Sequence, residues 1–354
     1  MPQHVLILER IHSGHRLYYV RILATAAHER GSKVTIVLGK GGAESEEARL
    51  HLSTLPESIG IREEIGADLT TAARLSHQLK ADVTVVPDGD WLLKPLVKAR
   101  RWRGTGALSL LVMREPNAGP GRTLSSSIKR SGKLLAMRWV ASLSRVRLSV
   151  LKSATWTGSS EFNVAHDPVT LTTTRGKAAA TVQEWGVTPN RYWFSVLGAV
   201  NSRKNLPLVV EALSQIGSSE LGLFVGGACD PGELRAAQPW IQEFEARGGR
   251  VAIVDRLLSD DELDAAVLAV SCIVIAHSNE GPSGLFGKAA AAGTRIVAAG
   301  AQSLKGEAIS RPRLATWSAL AAPPLSEALA AAALSSRPEP EILAGTTLFT
   351  DALL

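Results

Sequence analysis

Short apolar runs alternate with helical patterns along the first half of the chain. His4–Arg10 reads as a buried strand, Tyr18–Arg30 as a helix stopped by Gly31, and Lys33–Gly39, rich in β-branched residues, as a second strand. Ala81–Pro87, Ala107–Met113 and Ala154–Gly158 read as further strands, with helices filling the gaps. A second series follows Thr188-Pro189-Asn190: strands at Tyr192–Val200, Leu221–Val225, Val251–Val254, Ser271–Ala276 and Thr294–Ala298. Helices are predicted at Leu206–Ile216, Pro231–Arg247, Asp260–Val270 and about Gly284–Ala292. Strands joined by helical crossovers predict parallel sheets covered on both faces. The pattern therefore predicts two doubly wound α/β units, an N-terminal domain over 1–187 and a second over 188–335. The segment 336–354 is expected to return to the first domain. No short repeat is visible.

The chain has 354 residues, which at about 100–200 residues per domain agrees with two domains. Hydrophobic residues make up 45% and charged residues 20%, which excludes a disordered or collagen-like chain. No apolar run approaches the about 18 residues of a membrane span, and Met1–Arg10 lacks a basic n-region and cleavage site. Cys229 and Cys272 are the two cysteines, too few for a disulfide framework or a cysteine-based zinc site. A reducing cytoplasmic setting is expected.

The net charge of +6 is concentrated regionally. Lys94 to Lys152 holds 14 Lys and Arg against one acid, Glu115, while the remainder is net acidic. An anionic partner is expected for the first half: phospholipid headgroups, a phosphorylated substrate or nucleic acid. Nucleic acid is set aside, because the region lacks a binding module and interleaved aromatic platforms. Ile128, Leu135, Trp139, Leu143, Val146 and Val150 recur at helical spacing, with Lys129, Arg130, Lys133, Arg138, Arg145 and Arg147 around them. This stripe reads as a domain helix with a basic outer face or as a face lying on an anionic membrane, and the second is favoured.

Four stretches carry candidate chemistry. Ile11–His15 has one glycine, Gly14, where a dinucleotide fingerprint needs three, so Gly14 is either a tight-turn residue or a backbone approach to a phosphate or sugar. In Asp88-Gly89-Asp90, Asp90 is expected to cap a helix starting at Trp91 rather than to bind metal. Ser202-Arg203-Lys204-Asn205 puts two cations at a helix start, either as a solvated loop or as a cradle for an anion. The stretch from His277 to Gly293 sets a lone carboxylate, Glu280, before a loop rich in small residues and an alanine-rich helix, where free backbone N–H groups can hold a phosphate or sugar hydroxyls.

Gly198–Asn205, Leu258–Leu263 and Glu280–Leu285 with Lys288–Gly293 together resemble, in order and spacing, the donor half of retaining glycosyltransferases of family 4 over about residues 192–300. The N-terminal resemblance is weaker. Phe162–Val169 is similar to the family's segment leading to its hinge.

The resemblance implies an α/β GT-B fold, two Rossmann-like doubly wound parallel-sheet domains facing a cleft. It implies a retaining, metal-independent transfer with no resident cofactor and a nucleotide-sugar as co-substrate. The acceptor, lipid-linked or a polysaccharide, would sit mainly on the first domain. The protein would be peripherally attached to the inner face of an anionic membrane. Lys204, with Arg203, falls where the family holds the donor diphosphate, and Glu280 where it contacts the donor sugar. Gly281, Ser283, Gly284 and Leu285 match the loop meeting sugar and phosphate, and Gly14 the glycine facing the diphosphate.

Three positions depart from the family. Ala199 stands for an arginine, with Arg203 as a possible substitute. Lys288 stands for the second glutamate, which contacts ribose; it is expected either to reach the diphosphate or to run out to water. Leu111–Glu115 replaces a strand end that often carries histidine, leaving Arg114 and Glu115 without an assigned role. These departures keep open a second reading, a catalytically silent sugar-nucleotide-binding protein of the same fold.

Overall fold

A computed structural model describes residues 3–12, 16–64, 68–113, 115, 124–280, 283–343 and 345–354; over 124–129 the description is of the backbone. The chain divides into two compact units. The first is Met1–Lys152, Thr157–Pro168 and Gly345–Leu354; the second is Ser153–Trp156 and Val169–Ala344.

The first unit runs β1 (His4–Glu9), α1 (Arg16–Glu29), β2 (Lys33–Leu38), α2 (Glu46–Leu52), β3 (Gly60–Glu63), α3 (Leu69–Leu79), β4 (Val83–Val86), α4 (Leu93–Ala99), β5 (Ala107–Val112), α5 (Leu124–Ala141), β6 (Val146–Lys152) and β7 (Asn163–His166). The seven strands form one sheet in the order β3-β2-β1-β4-β5-β6-β7, every pairing parallel. Its central strands β1 and β4 are buried throughout and mostly apolar because both faces are covered, the expected signature of a parallel sheet. Strand order reverses between β1 and β4, so their C-terminal ends form the switch point where ligands of such sheets bind.

The second unit runs α6 (Arg175–Glu184), β8 (Tyr192–Leu197), α7 (Leu206–Ile216), β9 (Leu221–Gly226), α8 (Pro231–Ala246), β10 (Arg250–Val254), α9 (Asp260–Ala269), β11 (Cys272–His277), α10 (Gly284–Ala292), β12 (Arg295–Gly300), α11 (Gln302–Ser310), β13 (Ala315–Ser318) and α12 (Ala322–Ala333). Six parallel strands lie in the order β10-β9-β8-β11-β12-β13, and the reversal falls between β8 and β11. Local chemistry sets the helix starts. Asp230 accepts from the Gly232 N–H with Pro231 at the first helical position of α8. Ser259 and Glu262 close a capping box on α9.

Several expectations are corrected. The expected strand at 154–158 is absent; the sheet is continued by β6 and β7, and β3 and β13 lie where no strand was expected. The predicted apolar stripe from Ile128 to Val150 is not one helix. α5 stops at Ala141, and Val146 and Val150 are buried in β6. The expected domain limit at 187 and 188 is displaced, because α6 buries Ala178 and Val182 in one core with Ala265 and Leu268 of α9. Thr188–Asn190, after which the second series was expected to begin, is the turn into β8, its Thr188 carbonyl accepting from the Trp193 indole N–H at 2.7 Å. The tail divides as well. Glu341 donates its N–H to the Ala290 carbonyl and pairs with Arg311, within the second unit. The final helix, α13 (Thr347–Leu353), lies in the first unit, where fully buried Phe349 packs 5.0 Å from the Tyr19 ring.

Candidate functional site

At the C-terminal edge of the second sheet the chain leaves β8 through Gly198, whose φ of 77° is in the left-handed region. A Cβ there would sit 3.1 Å from the Lys204 Nζ, so the glycine leaves room for the lysine to fold back over the strand end. The turn Ser202–Lys204 closes on Asn205, also left-handed at φ 50°, a conformation asparagine tolerates. Asn205 Nδ2 donates to the Ala276 carbonyl at 2.8 Å and to the Arg203 carbonyl at 3.1 Å, pinning the turn against the end of β11.

This places two cations with different environments side by side. Arg203 is exposed, its Nε donating to Asn201 Oδ1 at 3.2 Å. Lys204 turns inward and donates to the Leu197 carbonyl. Burial, reinforced by Arg203, pushes its ammonium down to about 7. His277, the last residue of β11, is lowered to about 4 by burial and by Lys204 and Arg203, and so is neutral at physiological pH. The edge is an electropositive corner whose positive forms are suppressed for want of a counter-charge, which an anionic ligand would supply.

Glu280 lies three residues past the end of β11. Its Oε1 accepts from the Gln302 N–H at 2.9 Å and its Oε2 from the Ser303 N–H at 3.0 Å, so the carboxylate closes the first turn of α11. A carboxylate has about four acceptor sites, leaving capacity for sugar hydroxyls. Ser283 is buried at the N-cap position of α10, and Gly284 and Leu285 are that helix's first two residues. Gly281 and Gly14 lie outside the described residues, as does Arg114.

Lys288 meets neither expectation. Its Nζ donates to Asp264 Oδ1 at 2.5 Å and to the Thr170 carbonyl at 2.9 Å. Asp264 is fully buried on α9, and its other oxygen accepts from the Thr172 N–H at 2.8 Å and the Thr172 hydroxyl at 3.1 Å. Lysine and aspartate thus fasten the segment 170–172 onto α9 and α10. Gly287 permits the approach: a Cβ there would lie 2.6 Å from Val169 Cγ2. Asp264 was not singled out from the sequence, because it follows the acidic run Asp260-Asp261-Glu262 at the start of α9 and so reads as one more solvated first-turn acid, although Ala265-Ala266-Val267 directly after it marked the buried side of the helix.

In the first unit, Asp90 is not a helix cap. Its Oδ2 accepts from the Met113 N–H at 2.8 Å, and its Oδ1 pairs with Lys133 of α5. Gly89 takes the cap position of a 3₁₀ turn at Asp90–Leu92. Arg138 pairs with Glu161 at 2.7 Å. Of the six cations set around the expected membrane face, Lys133 and Arg138 therefore have carboxylate partners; Arg130 is half-buried, and the side chain of Lys129 is not among those described. Among the described residues, the large apolar side chains exposed on α5 are Leu135 and Trp139, 63% and 47% exposed, one helical turn apart, while Met137 and Val140 are buried. Glu115 pairs with Lys152.

Glu9 ends β1 at the first sheet's switch point. Its Oε1 accepts from the Ile11 N–H at 2.9 Å, its Oε2 is buried without a partner, and burial pushes it up to about 8, so it is protonated at neutral pH. Asp88, paired with Arg16 at 2.8 Å, stands beside it after β4. Sequence reading missed Glu9 because a strand-terminal acid looks like a solvated one. Among the described residues, no group of three His, Cys, Asp or Glu could hold a metal ion, and no helix is long and apolar enough to cross a membrane.

The two parallel sheets and their helices define the class of the molecule as an α/β protein of the GT-B fold. Over 99% of its length the chain is similar to HepE from Anabaena, solved in complex with UDP, with a TM-score of 0.67, 13% identity and 93% of that chain covered. It is similar to a glycosyltransferase from Rickettsia africae, with a TM-score of 0.66, 12% identity and coverage of 99% of this chain and 96% of that one. WaaG, a glycosyltransferase involved in lipopolysaccharide biosynthesis, aligns with a TM-score of 0.57 and 12% identity over 99% of this chain and 92% of its own. No family model matches the sequence, and no curated protein matches it.

Proposed function

We propose that this protein is a glycosyltransferase of the retaining, metal-independent kind that family 4 exemplifies. It would move a sugar from a nucleotide-sugar donor to a lipid-linked or polysaccharide acceptor at an anionic membrane surface. The observation that carries the reading is the convergence of Arg203, Lys204 and Glu280 at the order reversal of the second sheet. Of the similar structures, one holds UDP and another belongs to a lipopolysaccharide glycosyltransferase.

In this reading Arg203 and Lys204 hold the donor diphosphate and stabilise the negative charge that grows on it as the glycosidic bond breaks. Lys204 gains its full charge when the diphosphate arrives. Glu280, already fixed by two backbone donors, orients the sugar through its free acceptor positions. Positioning and charge stabilisation supply the rate, with no covalent chemistry asked of these side chains.

A silent sugar-nucleotide-binding protein is the second reading, favoured by one observation: Lys288, at the position of the family's ribose-binding glutamate, is held in an ion pair with Asp264. Nucleotide-sugar hydrolysis and transfer assayed with a crude membrane-lipid acceptor separates the two. Binding without turnover across a panel of donors selects the second, and no binding of any nucleoside diphosphate defeats both.

A further inference from the structure

The opposite edge of the second sheet holds a cluster of arginines that the glycosyltransferase reading does not use. A cavity of about 140 Å³ opens at the N-terminal ends of β8, β11 and β12, lined by Tyr192, Ser271, Arg295, Ser335 and Arg337. Arg295, the first residue of β12, is 9% exposed. Of its five N–H donors, Nη2 bonds the Ser336 carbonyl at 2.6 Å, and the buried Nε has no partner. Ser271 Oγ accepts from the Trp193 N–H at 3.2 Å, which leaves its own proton to donate.

Arg337 as a whole residue is exposed, but its guanidinium is ringed by the carbonyls of Leu268, Val270 and Gly293 and by the Thr294 hydroxyl, at 2.7–3.3 Å. Burial, and Arg175 close by, lower it to about 10. Arg175 bonds the Ala292 carbonyl at 2.5 Å. Among the described residues, no carboxylate pairs with any of the three arginines. The available negative charge is that of three helix C-termini, α9, α10 and α12, the last meeting the cavity through Ser335 and the Ala332 carbonyl that accepts from the Tyr192 hydroxyl at 2.9 Å, each worth roughly half an elementary charge. Three guanidinium charges against about one and a half leave about one and a half positive charges unbalanced around a cavity with unspent donors.

We propose that this cavity is a binding site for a small phosphate-bearing ligand, inorganic phosphate or a compact phosphate monoester. A phosphate carrying about −1.5 to −2 charges at neutral pH matches the excess and offers acceptors for the remaining Arg295 Nη donors and the Ser271 hydroxyl. Arg175 and Arg337 contribute charge while tying down the ends of α9 and α10. The site lies at the edge of the sheet opposite Lys204 and Glu280, so the ligand would bind independently of a nucleotide there.

The test is binding of inorganic phosphate, and separately of glycerol phosphate, to the whole protein by calorimetry and thermal unfolding at constant ionic strength, with chloride as control. Saturable binding with a rise in Tm that chloride does not reproduce is expected. Arg295→Gln should raise the phosphate Kd at least tenfold, and Lys204→Ala should leave it within twofold. The tighter of the two probes identifies the source, free anion or ester. An unchanged Kd in Arg295→Gln, a Tm rise matched by chloride, or a loss of phosphate binding in Lys204→Ala overturns the proposal. Should Arg295→Gln fail to fold, phenylglyoxal labelling of the wild-type protein gives the answer. Protection of Arg295 by phosphate supports the site, and equal labelling with and without phosphate rejects it.

Discussion

The ammonium of Lys288 and the carboxylate of Asp264 meet at 2.5 Å in the interior of the second unit, the carboxylate with no solvent exposure at all. Removing one partner of such a pair strands the other charge, which typically costs about 3–5 kcal/mol. Lys288→Met is therefore expected to lower stability on that scale in denaturant unfolding. Lys288→Glu, which would recreate the family residue, should be worse, because it sets two carboxylates together. The double variant Asp264→Asn, Lys288→Met should recover part of the loss. A folded Lys288→Glu protein with unchanged Tm would contradict this.

Glu280 holds the Gln302 and Ser303 N–H groups at the start of α11, so it supports structure as well as the proposed chemistry. Glu280→Ala is expected to cost about 1 kcal/mol, as loss of a helix cap does. Glu280→Gln keeps one acceptor and should cost less. If the carboxylate also orients the sugar, both variants should lose turnover well beyond their stability loss. Turnover that tracks folded fraction alone would reduce Glu280 to a cap.

Lys204 gives a pH signature. Its ordinary value of 10.5 falls to about 7 in the folded protein, so between those values the unfolded chain holds the proton and the folded chain does not. Stability then rises with pH across that window, and the penalty for charging the buried amine is fully present below pH 7. Lys204→Met should be most stabilising, relative to wild type, below pH 7 and should converge with it near pH 10.5. A bound diphosphate restores the charge. UDP binding at pH 8 should therefore take up close to one proton, measured by calorimetry in buffers of different ionisation enthalpy. Lys204→Ala should abolish the uptake and weaken UDP by about 1.5–3 kcal/mol. Proton-neutral binding at pH 8 would remove Lys204 from the site.

The surface of α5 offers a test of the proposed membrane attachment. Leu135 and Trp139 are exposed one turn apart, with Arg130 nearby in sequence, whereas Lys133 and Arg138 already have carboxylate partners. Trp139→Ser combined with Leu135→Ser should reduce sedimentation with anionic vesicles several-fold, and Arg130→Glu should weaken it by about 1 kcal/mol, an effect lost in high salt. Lys133→Glu is a poor probe, because it would also break the contact with Asp90. Vesicle binding that survives all three changes would place the contact elsewhere.

The second half of the chain was more legible than the first. Strands from Tyr192 to Ala298 and the helices between them lie within a few residues of their expected places. Each has a local cause: continuous apolar runs, Asp230-Pro231, and the Ser259 to Glu262 capping box. The stripe from Ile128 to Val150 misled because apolar residues near 3.6 spacing also fall on alternate strand positions, and the break came from a tertiary partner. Val146 and Val150 pair with Leu108 and Val112 of β5, contacts that no local period encodes. Gly198, Asn205 and the cations between them were readable as a turn. That Lys204 would fold inward onto the Leu197 carbonyl was not.

Periodicity, punctuation by Gly and Pro, and the cluster of bases before Lys152 were enough for two parallel α/β sheets, a glycine-containing turn after β8, and a basic first half. These are properties of neighbouring residues, and the chain carries them wherever it is. The partners of charged side chains belong to a different order of information. Asp264 and Lys288 are separated by strand β11, Lys133 and Asp90 by strand β5, and Arg175, Arg295 and Arg337 come from three separate segments. Whether each such charge meets a carboxylate, a carbonyl or an open cavity depends on which segments packing brings together and how much water it leaves, and that was decided only when the sheets assembled.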